Sequence, residues 1–138
     1  MNILQKFSPW LLLPLLFSLT LSACRERGPE QSFRAFYAAV AKSDGDAAWA
    51  LLSADTRQGI RKYITASTEA GAQAPSPQKL LVEGGYLRVM RELVSVELIN
   101  QARGRATLKV TDETGETQLV TLVKEGTGWR LLLPVPKN

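Results

Sequence analysis

The hydrophobic and polar positions divide the chain into three regions with different periodicities. A mainly apolar run occupies residues 10–21, close to the amino terminus. Apolar residues then recur at intervals of three and four from about residue 29 to residue 70, and from Leu93 onward they alternate with polar residues. The first spacing is typical of amphipathic helices and the second of half-buried strands. The pattern therefore predicts helices followed by a sheet, after a segment of a different kind.

The first predicted helix begins at Gly28-Pro29, because proline is favoured at the first helical position. Its apolar side chains lie at i, i+3, i+4 and i+7, and they are Phe33, Phe36, Tyr37 and Val40. This spacing places them on one face, so the helix is expected to pack on a core largely through aromatic rings. The turn sequence Ser43-Asp44-Gly45 ends the helix.

The later helical segments are shorter or less regular. Asp46 is placed to cap a short second helix, and Ser53 is placed to cap a third that runs to about Ala70. Residues 77–82 predict one more helical turn, which a pair of glycines stops. Residues 86–92 fit either a helix or a strand, and we favour a helix or an irregular extension.

The alternation from Leu93 onward predicts three to four strands joined by tight turns. The glycine-containing connections are residues 101–104, 112–115 and 125–128. The residues expected on apolar strand faces are Val94, Val96 and Leu98 in the first strand and Trp129, Leu131 and Leu133 in the last. Helices followed by an antiparallel meander predict one α+β domain over residues 29–138, with the helices packed on the sheet.

Three segments give the chain a resemblance to a known superfamily. They are the aromatic first helix with Phe33, Phe36 and Tyr37, the short helix after a glycine turn in residues 43–49, and the closing hairpin in residues 122–131. Over roughly residues 29–134 this order is similar to the nuclear transport factor two-like superfamily. The resemblance implies a cone-shaped fold in which a curved sheet wraps around the first helix. Small bacterial lipoproteins of unknown function share this plan, and a minority of the superfamily are isomerases, dehydratases or cyclases.

The amino-terminal segment has the layout of a secretory signal peptide. The amino terminus and Lys6 supply positive charge before the apolar run of residues 10–21. As a helix this run would span about 18 Å, since each residue adds about 1.5 Å. A hydrocarbon core about 30 Å thick requires about 20 residues, so the run is too short for a transmembrane helix. We therefore expect residues 1–23 to be removed from the mature protein.

The segment closes with Leu21-Ser22-Ala23-Cys24, which resembles the lipobox of bacterial lipoproteins. The resemblance implies cleavage between Ala23 and Cys24, a diacylglyceryl group on the Cys24 sulfur and, in many bacteria, a further acyl chain such as palmitate on the new amino group. Several acyl chains hold a protein on a membrane where a single chain binds only marginally. Residues 24–28 would then form a short tether. An ordinary secretory signal cut near Ala23, which would leave a free thiol, is the alternative.

The residue after the cysteine bears on localisation. In lipoproteins of enteric-type bacteria, retention in the inner membrane usually depends on Asp at this position, and the chain has Arg25 there. The resemblance therefore implies a lipid-anchored protein of the bacterial cell envelope. In a Gram-negative host, the periplasmic face of the outer membrane is favoured.

The composition removes several classes of chemistry. The chain of 138 residues contains no His and a single Cys. Nucleophilic sites that use His and zinc sites that contain His are therefore excluded, and so is an internal disulfide. Lys and Arg number 17 against 13 Asp and Glu, and the net charge of +4 without a basic run does not favour nucleic acid. We expect no cofactor and no metal.

Few residues are placed to act in acid–base chemistry. Glu97 lies in the middle of a predicted strand, where it points either into a pocket as a general base tuned by burial, or into solvent. The acidic residues in predicted caps or turns are Asp44, Asp46, Asp55 and Asp112. The tyrosines that could donate a hydrogen bond into a cavity are Tyr37, Tyr63 and Tyr86, although the first two fall on helix stripes that favour the core.

Aromatic and basic residues suggest binding surfaces. Trp49 and Trp129 are candidates for a sugar-binding platform, although their apolar faces favour core packing. A surface basic cluster, Arg57, Arg61 and Lys62, falls on the third helix, where residues four apart are neighbours. Further positive charge comes from Arg88, Arg91, Arg103 and Arg105. These residues either form a solvated surface or contact anionic lipid or an acidic partner.

Three functional hypotheses follow from the sequence. The first is a membrane-tethered, non-enzymatic binding or assembly domain in the cell envelope, anchored through Cys24 and engaging an envelope protein or a small ligand. The second is a pocket protein with acid–base activity of the isomerase or dehydratase kind. The third is an envelope lipoprotein that contacts anionic lipid or peptidoglycan through its Arg residues.

Overall fold

The helices precede the strands, as the sequence predicts. The computed structural model describes residues 26–83 and 92–135. Its helices are α1 (Pro29–Ala41), α2 (Gly45–Ala50), α3 (Ala54–Glu69) and α4 (Pro77–Glu83). The predicted signal peptide, Cys24 and nearly all of the ambiguous segment 86–92 lie outside the described residues.

The strands form one four-stranded antiparallel sheet. They are β1 (Leu93–Ala102), β2 (Arg105–Asp112), β3 (Thr117–Glu125) and β4 (Gly128–Leu132), and each pairs with the next along the chain. The α+β class and the meander of three to four strands are therefore confirmed. The edge of β4 is partly covered by residues 51–53, because Ser53 N donates to Leu131 O at 2.8 Å and Leu131 N donates to Leu51 O at 2.9 Å.

The β1–β2 connection is tighter than the sequence predicts. Ala102 pairs with Arg105, so the turn contains only Arg103 and Gly104. Both residues have positive φ, 50° and 72°. A two-residue turn of this kind matches the right-handed twist of the strands on either side. The hairpin therefore keeps β1 paired with β2 up to the turn.

The core lies between α1 and one face of the sheet. Phe33 and Phe36 of α1 are 2% and 1% exposed, which confirms the predicted aromatic face. The buried side chains of the sheet include Leu108, Leu122 and Leu131, each 0% exposed. Trp129 of β4 and Leu133, which follows its last residue, are buried as well, so the predicted apolar face at the end of the chain is confirmed. Large apolar side chains therefore fill the space between α1 and the sheet.

Two predicted details are wrong. The second helix is capped by Asp44, whose Oδ1 accepts a hydrogen bond from Ala47 N at 3.0 Å, while Asp46 lies in the first turn. The first strand does not bury all of its predicted face, since Val94 is 61% exposed and Leu98 is 39% exposed. Val94 is an extra residue at a bulge in an edge strand. A bulge changes which side chains face the core, and a local sequence pattern does not reveal it.

A buried hydroxyl joins α3 to β4. Thr56 is 1% exposed, and its Oγ1 accepts hydrogen bonds from Leu133 N and from Ser53 Oγ, both at 2.9 Å. The same hydroxyl donates to Leu131 O at 3.4 Å. Ser53 in turn caps α3 by accepting from Thr56 N, which confirms the predicted cap. Three buried polar groups therefore depend on one side chain.

Replacing Thr56 with Val is expected to lower the free energy of unfolding by about 2–3 kcal/mol, because Leu133 N and Ser53 Oγ lose a buried partner. Urea unfolding measures the effect. Thr65→Val is the matched control, since Thr65 lies on the same helix and its hydroxyl donates to Arg61 O on an exposed face. The control is expected to change stability by less than about 0.5 kcal/mol. Equal effects of the two substitutions would contradict the proposed role of the Thr56 hydroxyl.

Candidate functional site

Two turns of the sheet lie at the same end of the domain as the start of α1. Lys124 N donates to Gly104 O at 2.8 Å, which places the β1–β2 turn beside the end of β3. Lys124 Nζ also forms an ion pair with Glu26 at 3.1 Å, which places the residues just before α1 there too. The chain enters the folded domain at this end, and the β3–β4 turn lies alongside.

Basic side chains are concentrated at this end. They are Arg27, Arg103, Arg105, Lys124 and Arg130, and we refer to the surface that they form as the basic end. The acidic residues at the same end include Glu30 in the first turn of α1. They also include Glu26, which is paired with Lys124, and Glu125, whose Oε1 accepts a hydrogen bond from Ala54 N at 2.9 Å. Within the described part of the chain, Arg103 and Arg105 form no ion pair and are exposed. Their charges are therefore directed to solvent.

A cleft of about 390 Å³ opens at the basic end. Its polar lining includes Glu26, Arg27, Ser32, Thr127 and Arg130. Ser32 is 2% exposed, and its hydroxyl forms no hydrogen bond with another described residue. The Arg130 guanidinium donates to Trp129 O at 3.3 Å, which holds the side chain near the rim. The cleft thus combines two guanidinium groups and a hydroxyl with the Glu26 carboxylate, whose charge is paired with Lys124. The two guanidinium groups suit the cleft to an anionic group.

The opposite end of the sheet carries the opposite charge. The β2–β3 turn contains Asp112, Glu113 and Glu116 and no basic residue, and Glu113 N bonds to Glu92 O at 2.9 Å. We call this surface the acidic end. Asp112 is 3% exposed, and its Oδ1 accepts hydrogen bonds from Thr114 N, Thr114 Oγ1 and Glu116 N. The turn role predicted for Asp112 is confirmed. At about 3.4 Å per residue, β2 separates the two ends by about 24 Å.

The chain matches one family of known proteins. Residues 22–132 match the family described as "Domain of unknown function (DUF4878)". The chain belongs to the DUF4878 family. The match includes all four helices and all four strands and ends with the last residue of β4. No curated protein and no solved structure gives a match.

The DUF4878 domain places Glu97 away from the cleft and from the core. Glu97 is exposed on β1, opposite Lys109 in the strand register. This is the sheet face that does not carry α1, because the neighbouring Val96 and Leu108 lie on the inner face. Of the tyrosines, Tyr37 is partly buried and its hydroxyl accepts a hydrogen bond from Leu93 N at 3.2 Å. Tyr86 lies outside the described residues.

The predicted basic cluster of the third helix is present on α3. Arg61 and Lys62 are exposed and Arg57 is half-buried. The Arg61 guanidinium lies over the Trp49 ring, 5.4 Å from its centroid. Trp49 is half-buried against the core and Trp129 is 4% exposed, so the core packing predicted for both rings is confirmed. Arg88 and Arg91 lie outside the described residues.

Sequence reasoning missed the basic end of the DUF4878 domain. The sequence shows Arg103 and Arg105 only as local charge and does not connect Arg27, Lys124 and Arg130 with them. The available signal was topological, since alternate turns of an antiparallel meander lie at the same end of the sheet. Which end the start of α1 shares with those turns depends on how the helix packs, and the sequence pattern does not specify it.

No described helix has the length and apolar composition needed to cross a membrane. Among residues 26–83 and 92–135, no three acidic or Cys side chains gather into a group that could hold a metal ion.

Proposed function

We propose that this protein is a lipid-anchored lipoprotein of the bacterial cell envelope whose folded domain binds or assembles with an envelope protein. In this proposal residues 1–23 are the signal peptide, Cys24 carries the lipid, and residues 24–28 are the tether. In a Gram-negative host the domain would lie on the periplasmic face of the outer membrane. The anchor localises the domain, and the domain provides the binding surface.

The position of Cys24 carries the proposal. It is the chain's only Cys, it follows Leu21-Ser22-Ala23, and only four residues separate it from α1. An anchor at this position would hold the folded domain directly on the membrane surface. We further propose that the domain is a short variant of the nuclear transport factor two-like fold. The packing of α1 against β1, β2 and β4 of one antiparallel sheet supports this relationship.

A binding role is supported by the surface of β1. This edge strand exposes three apolar side chains, Val94 (61%), Ile99 (55%) and Leu98 (39%). An edge strand presents unpaired backbone groups, and exposed apolar side chains beside them favour contact with another protein. The acid–base alternative receives less support, because Glu97 is exposed on the sheet face that does not carry α1.

Site-specific photocrosslinking in cells tests the binding role. A photoreactive amino acid in place of Ile99 is expected to give a discrete adduct with an envelope protein, which mass spectrometry identifies. The matched control is the same amino acid in place of Glu113, which is also exposed to solvent but lies at the acidic end. An adduct at position 99 and none at position 113 is the expected result. Absence of any adduct at position 99, or equal adducts at both positions, would overturn the binding role assigned to β1.

A further inference from the structure

We propose that the basic end docks on the anionic headgroups of the membrane that holds the anchor, so that the domain stands on the membrane in one orientation with its acidic end outward. This inference rests on the proposed lipid anchor at Cys24. It assigns a ligand class, anionic phospholipid headgroups, to a surface other than the α3 cluster that the sequence indicates. The cleft lined by Arg27, Ser32 and Arg130 would receive a headgroup phosphate.

The length of the tether brings the basic end to the membrane. Glu26 is two residues from Cys24, and two extended residues span at most about 7 Å. Lys124 is paired with Glu26 at 3.1 Å, so the end of β3 is held at the same point of the domain. The Debye length at physiological ionic strength is about 8 Å. The basic end is therefore held close to the membrane surface, where its charges are only partly screened from the headgroups.

The charge distribution then selects the orientation. The acidic end lies about 24 Å from the basic end along β2, or about three Debye lengths. Its carboxylates would be largely screened from the headgroups in the proposed orientation, whereas tilting the domain onto its side would bring Glu113 and Glu116 closer to them. A basic residue near an anionic surface favours docking by about five-fold. The five basic residues of the basic end outnumber the acidic residues Glu26, Glu30 and Glu125 beside them.

The cleft adds a specific contact to this general attraction. Arg27 and Arg130 approach it from the residues before α1 and from β4, and Ser32 provides a hydroxyl that is nearly completely buried. Guanidinium groups bind phosphate oxygens through directed hydrogen bonds. Among the described residues the Ser32 hydroxyl has no hydrogen-bond partner, and a phosphate oxygen would provide one.

The experiment uses the full lipidated protein in lipid nanodiscs made of phosphatidylcholine alone or enriched in phosphatidylglycerol. An amine-reactive reagent labels exposed lysines, and mass spectrometry measures the rate at each one. Lys124 reports on the basic end. Lys42, which follows the last residue of α1 about 20 Å from its start, reports on the other end. We expect phosphatidylglycerol to slow the labelling of Lys124 and not that of Lys42, and high salt to remove the difference.

Paired charge reversals test which residues are responsible. Arg27→Glu with Arg105→Glu removes two exposed basic groups and leaves Arg103, which forms part of the turn, in place. Two five-fold factors predict a fall of at least about 25-fold in the ratio of docked to undocked protein, so Lys124 should be labelled as fast as in phosphatidylcholine. The matched control, Lys42→Glu with Lys79→Glu, changes the net charge equally, and both positions are exposed and away from the basic end. It is expected to leave the slow labelling of Lys124 unchanged.

The intact mass of the protein in the same sample distinguishes a failure of the docking proposal from a failure of the anchor proposal. A protein that carries acyl chains on Cys24 but whose Lys124 is labelled equally in both kinds of disc would overturn the docking and leave the anchor intact. Equal effects of the two paired reversals would show a general charge effect and would also overturn it. A protein without acyl chains on Cys24 would overturn the anchor and, with it, the docking that rests on it.

Discussion

Replacement of Cys24 with Ala is expected to abolish attachment of lipid and to release the protein from stable membrane association. The lipobox resemblance makes the Cys24 sulfur the attachment point, and no other thiol exists in the chain. Each buried methylene of an acyl chain contributes about 0.8 kcal/mol, so the loss of two or three chains removes nearly all of the binding energy. The variant retains its signal peptide, whose apolar run would span only about 18 Å as a helix. This is too short to cross a hydrocarbon core of about 30 Å, so the signal peptide does not replace the lipid anchor.

Intact mass and membrane fractionation measure this result. The wild-type protein is expected to begin at Cys24 and to carry acyl chains, whereas the variant retains residues 1–23 without them. Ser22→Ala is the control, because it keeps a small residue beside the cleavage site and should be processed and lipidated normally. A wild-type protein cut near Ala23 with a free thiol, or a Cys24→Ala variant that remains firmly in the membrane fraction, would contradict the lipoprotein proposal.

Replacement of Phe36 with Ala is expected to lower the free energy of unfolding by about 3–5 kcal/mol. Phe36 is 1% exposed on the face of α1 that packs on the sheet, so its removal loses buried apolar surface and leaves a cavity in a filled core. Domains of this size are stable by only about 5–15 kcal/mol in total. The substitution therefore removes a large part of the stability and brings the domain close to unfolding.

Urea unfolding followed by far-UV circular dichroism measures this loss, with all variants in the same Cys24→Ala background. Leu119→Ala is the matched control, because Leu119 is an apolar residue of β3 that is 68% exposed. Its truncation is expected to change stability by less than about 0.5 kcal/mol. If Phe36→Ala lowered the free energy of unfolding by less than about 1 kcal/mol, Phe36 would not be packed between α1 and the sheet as the structure shows.

The sequence predicted the helical and strand segments because each depends on a short-range pattern. Phe33 and Phe36 share a helical face through their spacing alone, and Trp129, Leu131 and Leu133 share a strand face through alternation. The cap at Ser53 and the turn at Asp112 were also predicted, since a short polar side chain bonds to backbone groups only a few residues away. These features require no knowledge of distant parts of the chain.

The errors arose where the structure depends on a partner strand or on competition between neighbours. Asp44 and Asp46 are both suitable helix caps, and the geometry after α1 places Asp44 at the start of α2. The alternation in β1 suggested a buried Val94, but pairing with β2 inserts that residue as a bulge. The burial of a strand side chain is decided by the register with its neighbour and by what covers the sheet.

The sequence by itself determined the helices and strands, their order and the single Cys that predicts an anchor, because each depends on residues that are close together in the sequence. Only the tertiary structure decided that Arg27, Arg105 and Lys124 lie at one end of the domain, beside the point where the chain enters it. These residues are far apart in sequence, and their proximity arises because the meander returns its turns to the end at which α1 begins. A charged surface of this kind depends on packing and register, which local periodicity does not encode.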